Sequence, residues 1–168
     1  MDHPGEGQAT NPVARVRQAL MACGLAPDLV RELPADTSTA EAAAQAVGAP
    51  LGSIVKSLVF LADGAPLLVL VAGDRRADLR RLRAALELSK KRLRIAQPEE
   101  VLDLTGFEVG GVPPVGHRVA VRTLIDRTLG RFDLVWAAAG NASAVFPIAY
   151  DRLVAVTGGR VMDLVEGE

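Results

Sequence analysis

A single cysteine, Cys23, stands in this 168-residue chain, so no intramolecular disulfide can form and a thiolate-rich metal site is excluded. That scarcity fits a reducing compartment, and a cytoplasmic location is expected. Histidines are nearly as rare, with only His3 and His117. A zinc site would need a carboxylate majority, and no metal is expected. Long apolar runs are also lacking. Stretches such as residues 65 to 73 fall far short of the roughly 18 to 20 residues that span a bilayer, so a soluble protein with no membrane partner is expected. The opening residues, Met1 to Gly7, have neither a basic nor an apolar segment; residues 1 to 11 read as a loose tail rather than a secretory signal.

Several catalytic motifs are missing too. No GxxxxGK[ST] phosphate loop occurs, and no GxGxxG follows a strand, which disfavours nucleotide hydrolysis and dinucleotide redox chemistry; no cofactor is expected. A GxSxG elbow is absent, and Cys23 has no histidine base near it in sequence. Covalent nucleophilic catalysis is disfavoured accordingly.

Hydrophobic residues make up 49% of the chain, enough for one good core and short for two, so residues 12 to 168 read as a single domain. Pro12 opens a helix whose apolar positions Val13, Val16, Ala19, Leu20 and Cys23 recur at helical spacing up to Gly24. Ser38-Thr39-Ala40-Glu41 reads as a capping box for a second, alanine-rich helix that Gly48 and Pro50 close. Residues 54 to 61 and 67 to 72 read as a hairpin turning at Asp63-Gly64. An amphipathic helix is predicted from Arg75 to Leu88, with Leu79, Leu82 and Leu86 on its apolar face. A short strand from Arg92 to Ala96 and a helix from Pro98 to Gly106 follow. The last third reads as strands over 118–125, 132–138 and 144–148, a helix over 150–157 and a strand over 160–164. Such an order is not regular βαβ alternation. It predicts an α+β fold with a curved, mixed and mostly antiparallel sheet flanked by helices.

Three features bear on chemistry. Lys56 interrupts an apolar strand on the side of Ile54, Leu58 and Phe60. Its stem either carries the ammonium past the sheet edge to water or places it in a pocket against a polar or anionic group. Gly110-Gly111-Val112-Pro113-Pro114-Val115-Gly116 must be a shaped loop, either a tight connection or a device that aims N–H groups at an oxygen. His117, which follows, is a candidate base or a plain strand-start residue. Nine basic residues lie between Arg75 and Arg94 against two acidic ones, in a chain whose totals are nearly balanced at 19 basic and 20 acidic. That run is either a solvated helix face or the footprint of a phosphate backbone.

Taken together, Ser38 to Gly48 with Ile54-Val55-Lys56-Ser57-Leu58-Val59-Phe60, Gly106 to His117, and Ala138-Ala139-Gly140-Asn141 leading into Leu153 to Asp163 resemble the YbaK/ProX family of aminoacyl-tRNA deacylases. That family is related to the editing domain inserted in bacterial prolyl-tRNA synthetases. The resemblance spans about residues 12 to 165. It implies a sheet closing toward a barrel and a pocket for the aminoacyl group on the terminal adenosine of tRNA. Lys56 matches the family's functional lysine. Gly110, Gly111, Val112, Pro113, Gly116 and His117 would bind substrate, with Gly140 and Asn141 in a third wall. Some members carry an acidic residue or histidine near that wall, whereas this chain reads Asn141-Ala142-Ser143, which leaves the amino acid open. Arg75, Arg76, Arg80, Arg81, Lys90 and Lys91 would form the tRNA-binding patch. The implied activity is hydrolysis of a small wrong amino acid, such as alanine, cysteine or serine, from tRNA, with an aminoacyl-tRNA synthetase as a further partner. The alternative is a non-catalytic module that uses the same pocket to bind tRNA, another nucleic acid or a synthetase.

Overall fold

The computed structural model describes residues 11–167. Of the expected tail only Asn11 falls among them, and it caps helix α1 (Pro12–Ala22), its side chain accepting from the N–H groups of Val13 and Ala14. The other helices are α2 (Ala40–Val47), α3 (Leu79–Leu86), α4 (Pro98–Thr105) and α5 (Tyr150–Thr157). Strands β1 (Arg31–Glu32), β2 (Val55–Ala62), β3 (Ala65–Ala72), β4 (Leu93–Ile95), β5 (Arg122–Asp126), β6 (Leu134–Ala138), β7 (Ala144–Ala149) and β8 (Arg160–Met162) form two sheets.

The larger sheet runs β4-β2-β3-β5-β8, with β4, β2 and β3 antiparallel and β3, β5 and β8 parallel; the smaller, β1-β7-β6, is wholly antiparallel. The expected α+β character and mixed sheet are therefore observed. The expected closure toward a barrel is not. One bridge, Ile54 to Trp136, links the two sheets, and β4 and β8 remain as open edges of the larger one.

Burial explains the strand sequences. Residues Leu67 to Ala72 of β3 are at most 1% exposed, so both faces of this central strand are covered and its sequence shows an unbroken apolar run instead of alternation. One face, with Val55, Val59, Leu68 and Leu70, packs on α1, α5 and the smaller sheet. The other, with Phe60, Val69 and Val71, packs on Leu82 of α3 and on Leu164. Beneath α2 lies a small third cluster of Ala43, Ala44, Ile54, Trp136 and Val145.

Local chemistry moves several expected boundaries. Thr39, not Ser38, caps α2 by accepting from Ala42 N–H, while Ser38 N–H turns back to Asp36. The helix expected from Arg75 begins only at Leu79, because Asp78 accepts from the N–H groups of Arg80 and Arg81. It ends at Glu87, which takes a left-handed conformation, and its Leu79 is exposed rather than on the buried face. Residues 118–121, expected in a strand, precede β5 as loop, and β8 stops at Met162.

At the end of β5 the buried Asp126 ties two segments together. Its carboxylate accepts from the N–H and hydroxyl of Thr128 and from Leu164 N–H, at 2.7 Å for the last. Asp126→Ala removes the acceptor and leaves a buried N–H unsatisfied, which should cost roughly 1–3 kcal/mol. A denaturant midpoint equal to that of the parent chain would contradict this role.

Candidate functional site

Lys56 sits on β2 near the junction of the two sheets, half-buried, with its Nζ donating to the main-chain carbonyl of Arg75. That carbonyl is held in turn. Its neighbour Asp74 accepts two hydrogen bonds from the Arg131 guanidinium, at 2.7 and 3.1 Å, which fixes the segment leaving β3. The same Arg131 contact holds the Asp74 carboxyl below its ordinary value. Burial lowers the Lys56 pKa from 10.5; the Glu41 carboxylate opposes this, Arg76 adds to it and Asp74 opposes it. The amine thus feels two carboxylates that favour its charge and one guanidinium that opposes it.

Around Lys56 lies a cleft of about 400 Å³. Its walls are the segment entering α2 (Thr37 to Glu41), the edge of β2 from Ile54 to Leu58, the end of β6 from Trp136 to Ala138, and Val109, Gly110 and Val112 of the glycine-proline loop. Gly110 has a φ of 92°, a conformation open to glycine and strained for other residues. Gly111 is packed from behind: its carbonyl accepts from Gly140 N–H at 2.9 Å, and a Cβ there would stand 2.7 Å from the Asn141 backbone. Asn141 holds its own turn by accepting from Ser143 N–H. Gly140 and Asn141 therefore brace the loop from outside the cleft.

The rest of the loop turns away. Pro114, Val115, Gly116 and His117 line a second, more open cleft of about 340 Å³ with Ala19, Ala22 and Cys23. His117 Nε2 lies 2.7 Å from the Pro113 carbonyl, closing the loop on itself. The structure brings Lys56, Gly110 and Val112 together, sets Gly111, Gly140 and Asn141 behind them, and places Gly116 and His117 elsewhere.

Residues 34–156 match the aminoacyl-tRNA editing domain family. The chain belongs to that family. It is 33% identical over 125 residues to the uncharacterised protein YwhH of Bacillus subtilis, covering 74% of this chain and 78% of that one. It is 36% identical over 105 residues to a proline–tRNA ligase of Solidesulfovibrio magneticus, covering 62% of this chain and only 18% of the ligase. A solved structure described as a proposed trans-editing enzyme for prolyl tRNA synthetase superposes with a TM-score of 0.86 at 45% identity, covering 93% of this chain and 98% of that one.

For an editing domain, the sequence reading missed much of the cleft's polar lining: Thr37, Ser38, Thr39, Glu41 and Ser57, besides the aromatic Trp136. Strand alternation puts Ser57 on the face opposite Lys56. Both reach the cleft because it opens at the edge of β2, not on a face. Glu41 looked like part of a helix cap.

The cationic run lies on and beside α3. Arg76, Arg80, Arg81, Lys90 and Lys91 are exposed, and Arg75 is partly so. Arg75 pairs with Asp74 and Arg81 with Asp78, whereas Arg76, Arg80, Lys90 and Lys91 have no ion pair among the described residues. Among those residues, too, no group of three or more His, Cys, Asp or Glu could hold a metal ion, and no helix is long and apolar enough to cross a membrane.

Burial lowers the His117 pKa from its ordinary 6.5, with the Pro113 hydrogen bond in partial opposition. As pH falls below 6.5 the unfolded chain takes up this proton while the folded chain resists it, so the native state loses stability until His117 titrates in it as well. His117→Gln should flatten the stability profile on the acid side of 6.5. An unchanged profile would show that His117 is not the source of the loss.

Proposed function

We propose that this chain is a hydrolase that removes a small wrong amino acid, such as alanine, cysteine or serine, from tRNA in trans, alongside an aminoacyl-tRNA synthetase. The observation that carries the reading is the Lys56 amine sharing one cleft with the Gly110–Val112 turn. Family membership supports it. The cleft, about 400 Å³, is of a size to take an aminoacyl group and its terminal adenosine in part.

An aminoacyl ester is already activated, so holding a water in line and stabilising the tetrahedral oxyanion supply most of the acceleration needed. Lys56 stabilises the developing negative charge or orients the acyl group, and its tether to the Arg75 carbonyl fixes where that charge is met. The turn at Gly110 and Val112 offers main-chain N–H groups to the carbonyl. A ribose hydroxyl of the tRNA helps deliver the attacking water, and no protein nucleophile is required. Outside the cleft, Arg76 stands close enough to Lys56 to act on its charge, Arg80 and Arg81 continue the positive surface along α3, a helix about 12 Å long, and Lys90 and Lys91 follow in the turn beyond it. That ridge takes the phosphates of the acceptor arm.

Lys56→Ala should lower deacylation of a mischarged tRNA about a hundredfold or more while the thermal melt stays within a few degrees of the parent's. Parent turnover no faster than buffer across a panel of mischarged tRNAs, or an unimpaired Lys56→Ala, would refute the reading. Tandem reversal of Arg80, Lys90 and Lys91 to Glu should weaken tRNA binding at least tenfold and shallow its salt dependence, since each lost phosphate contact removes roughly 0.7 to 0.9 from the log–log slope. An unchanged slope would exclude the ridge.

A further inference from the structure

The cleft opens through a gap in hydrogen bonding between two strands. Gly73 N–H donates to Ile54 O at 2.8 Å, which makes Ile54 and Gly73 a bonded pair in the antiparallel register of β2 and β3. By alternation the main-chain groups of Lys56 and Leu58 also face β3, whereas those of Ser57 and Val59 face the opposite edge. Val59 O confirms the direction, since it accepts there from Ala96 N–H at 2.9 Å. The same rule applied to Ala139 N–H and Ala144 O, at 2.8 Å, turns the main chain of Ala138 away from β7 and toward β2. Between these edges the strands are joined at the Ile54–Trp136 bridge, and β4 covers β2 only from Phe60 onward. Ser57 has no strand partner on this side. Its hydroxyl oxygen is buried without a hydrogen-bond partner, and both Ser57 and Ala138 line the cleft.

An aminoacyl ester carries an α-nitrogen donor and a carbonyl acceptor on adjacent carbons, the two groups that one residue of a β-strand presents to its neighbour. We propose that the aminoacyl group docks on the free edge of β2 as the missing strand residue. Its α-ammonium donates to the Ser57 carbonyl oxygen and, once a turn about χ1 brings it into the cleft, to the buried Ser57 hydroxyl oxygen as a second acceptor. The Ser57 N–H donates to one lone pair of the ester carbonyl, leaving the other to the Lys56 and Gly110 side of the cleft. This rests on the hydrolase reading for its substrate and adds a site for the α-ammonium, so the protein recognises an α-amino acid as such before the side chain is sensed.

The test compares tRNA carrying alanine with the same tRNA carrying propionic acid, which lacks the α-nitrogen, each rate corrected for buffer hydrolysis. The parent protein should favour the alanyl ester at least tenfold, and Ser57→Ala should reduce that preference severalfold with its melt unchanged. Equal enzyme-dependent rates on the two esters would overturn the docking while leaving the hydrolase intact. If neither ester turns over, the hydrolase reading fails, and the docking is decided by amide-linked alanyl-adenosine and propionyl-adenosine. A Ser57 amide shift with the alanyl compound that is several times smaller with the propionyl compound supports it; equal shifts, or none, overturn it.

Discussion

A lysine ammonium on a central strand loses part of its hydration, and something must hold it where it is useful. Here the Arg75 carbonyl accepts from Nζ, and the bidentate Asp74–Arg131 contact keeps that segment from moving. Glu41 and Asp74 offset the cost of burial that lowers the Lys56 pKa, while Arg76 opposes them. The amine is thus tethered rather than free to follow the solvent, and the cleft beside it gains a positive charge at a fixed place. Because water is partly excluded, that charge would act more strongly on an anionic group in the cleft than on an open surface.

Room for a substrate comes from incomplete pairing. One main-chain bridge joins the two packed sheets, and the space beyond the bridge would vanish if β6 continued to pair with β2. A closed barrel would fill that space with main-chain hydrogen bonds. The open architecture is therefore part of how the site exists. Around the gap, α2 and its cap supply one wall, and the glycine-proline loop supplies the other, held from behind by Gly140.

Much of this was legible locally. The Asp63-Gly64 turn, the Pro12 and Pro98 helix starts, the Gly48 stop and the Tyr150–Thr157 helix all follow from residues within a few positions of one another. Lys56 stood out because a charge inside an apolar strand needs an explanation, and the glycines and prolines from Gly110 to Gly116 marked a shaped loop. Tertiary facts were not legible in the same way. Nothing near His117 says that the loop bends after Pro113 and shows its second half to Cys23 instead of Lys56. The two-residue β1 owes its existence to β7, far along the chain. Ser57 is not legible in the sequence because alternation assigns it to the other face, and only the gap at the strand edge brings it to the cleft. The closed barrel came from family resemblance, and the strand order corrects it.

In the proposed mechanism the Lys56 amine and the Gly110–Val112 turn hold one acyl group between them. The most direct test of that arrangement is a map of amide and lysine-ammonium NMR shifts as the parent protein is titrated with an amide-linked alanyl-adenosine that cannot be hydrolysed. The largest changes are expected at Lys56 Nζ, at Gly110 and Val112, at the Ser57 amide and at the Trp136 indole, with Cys23 and His117 unmoved. Changes centred on Cys23 and His117, with Lys56 and Gly110 silent, would contradict it.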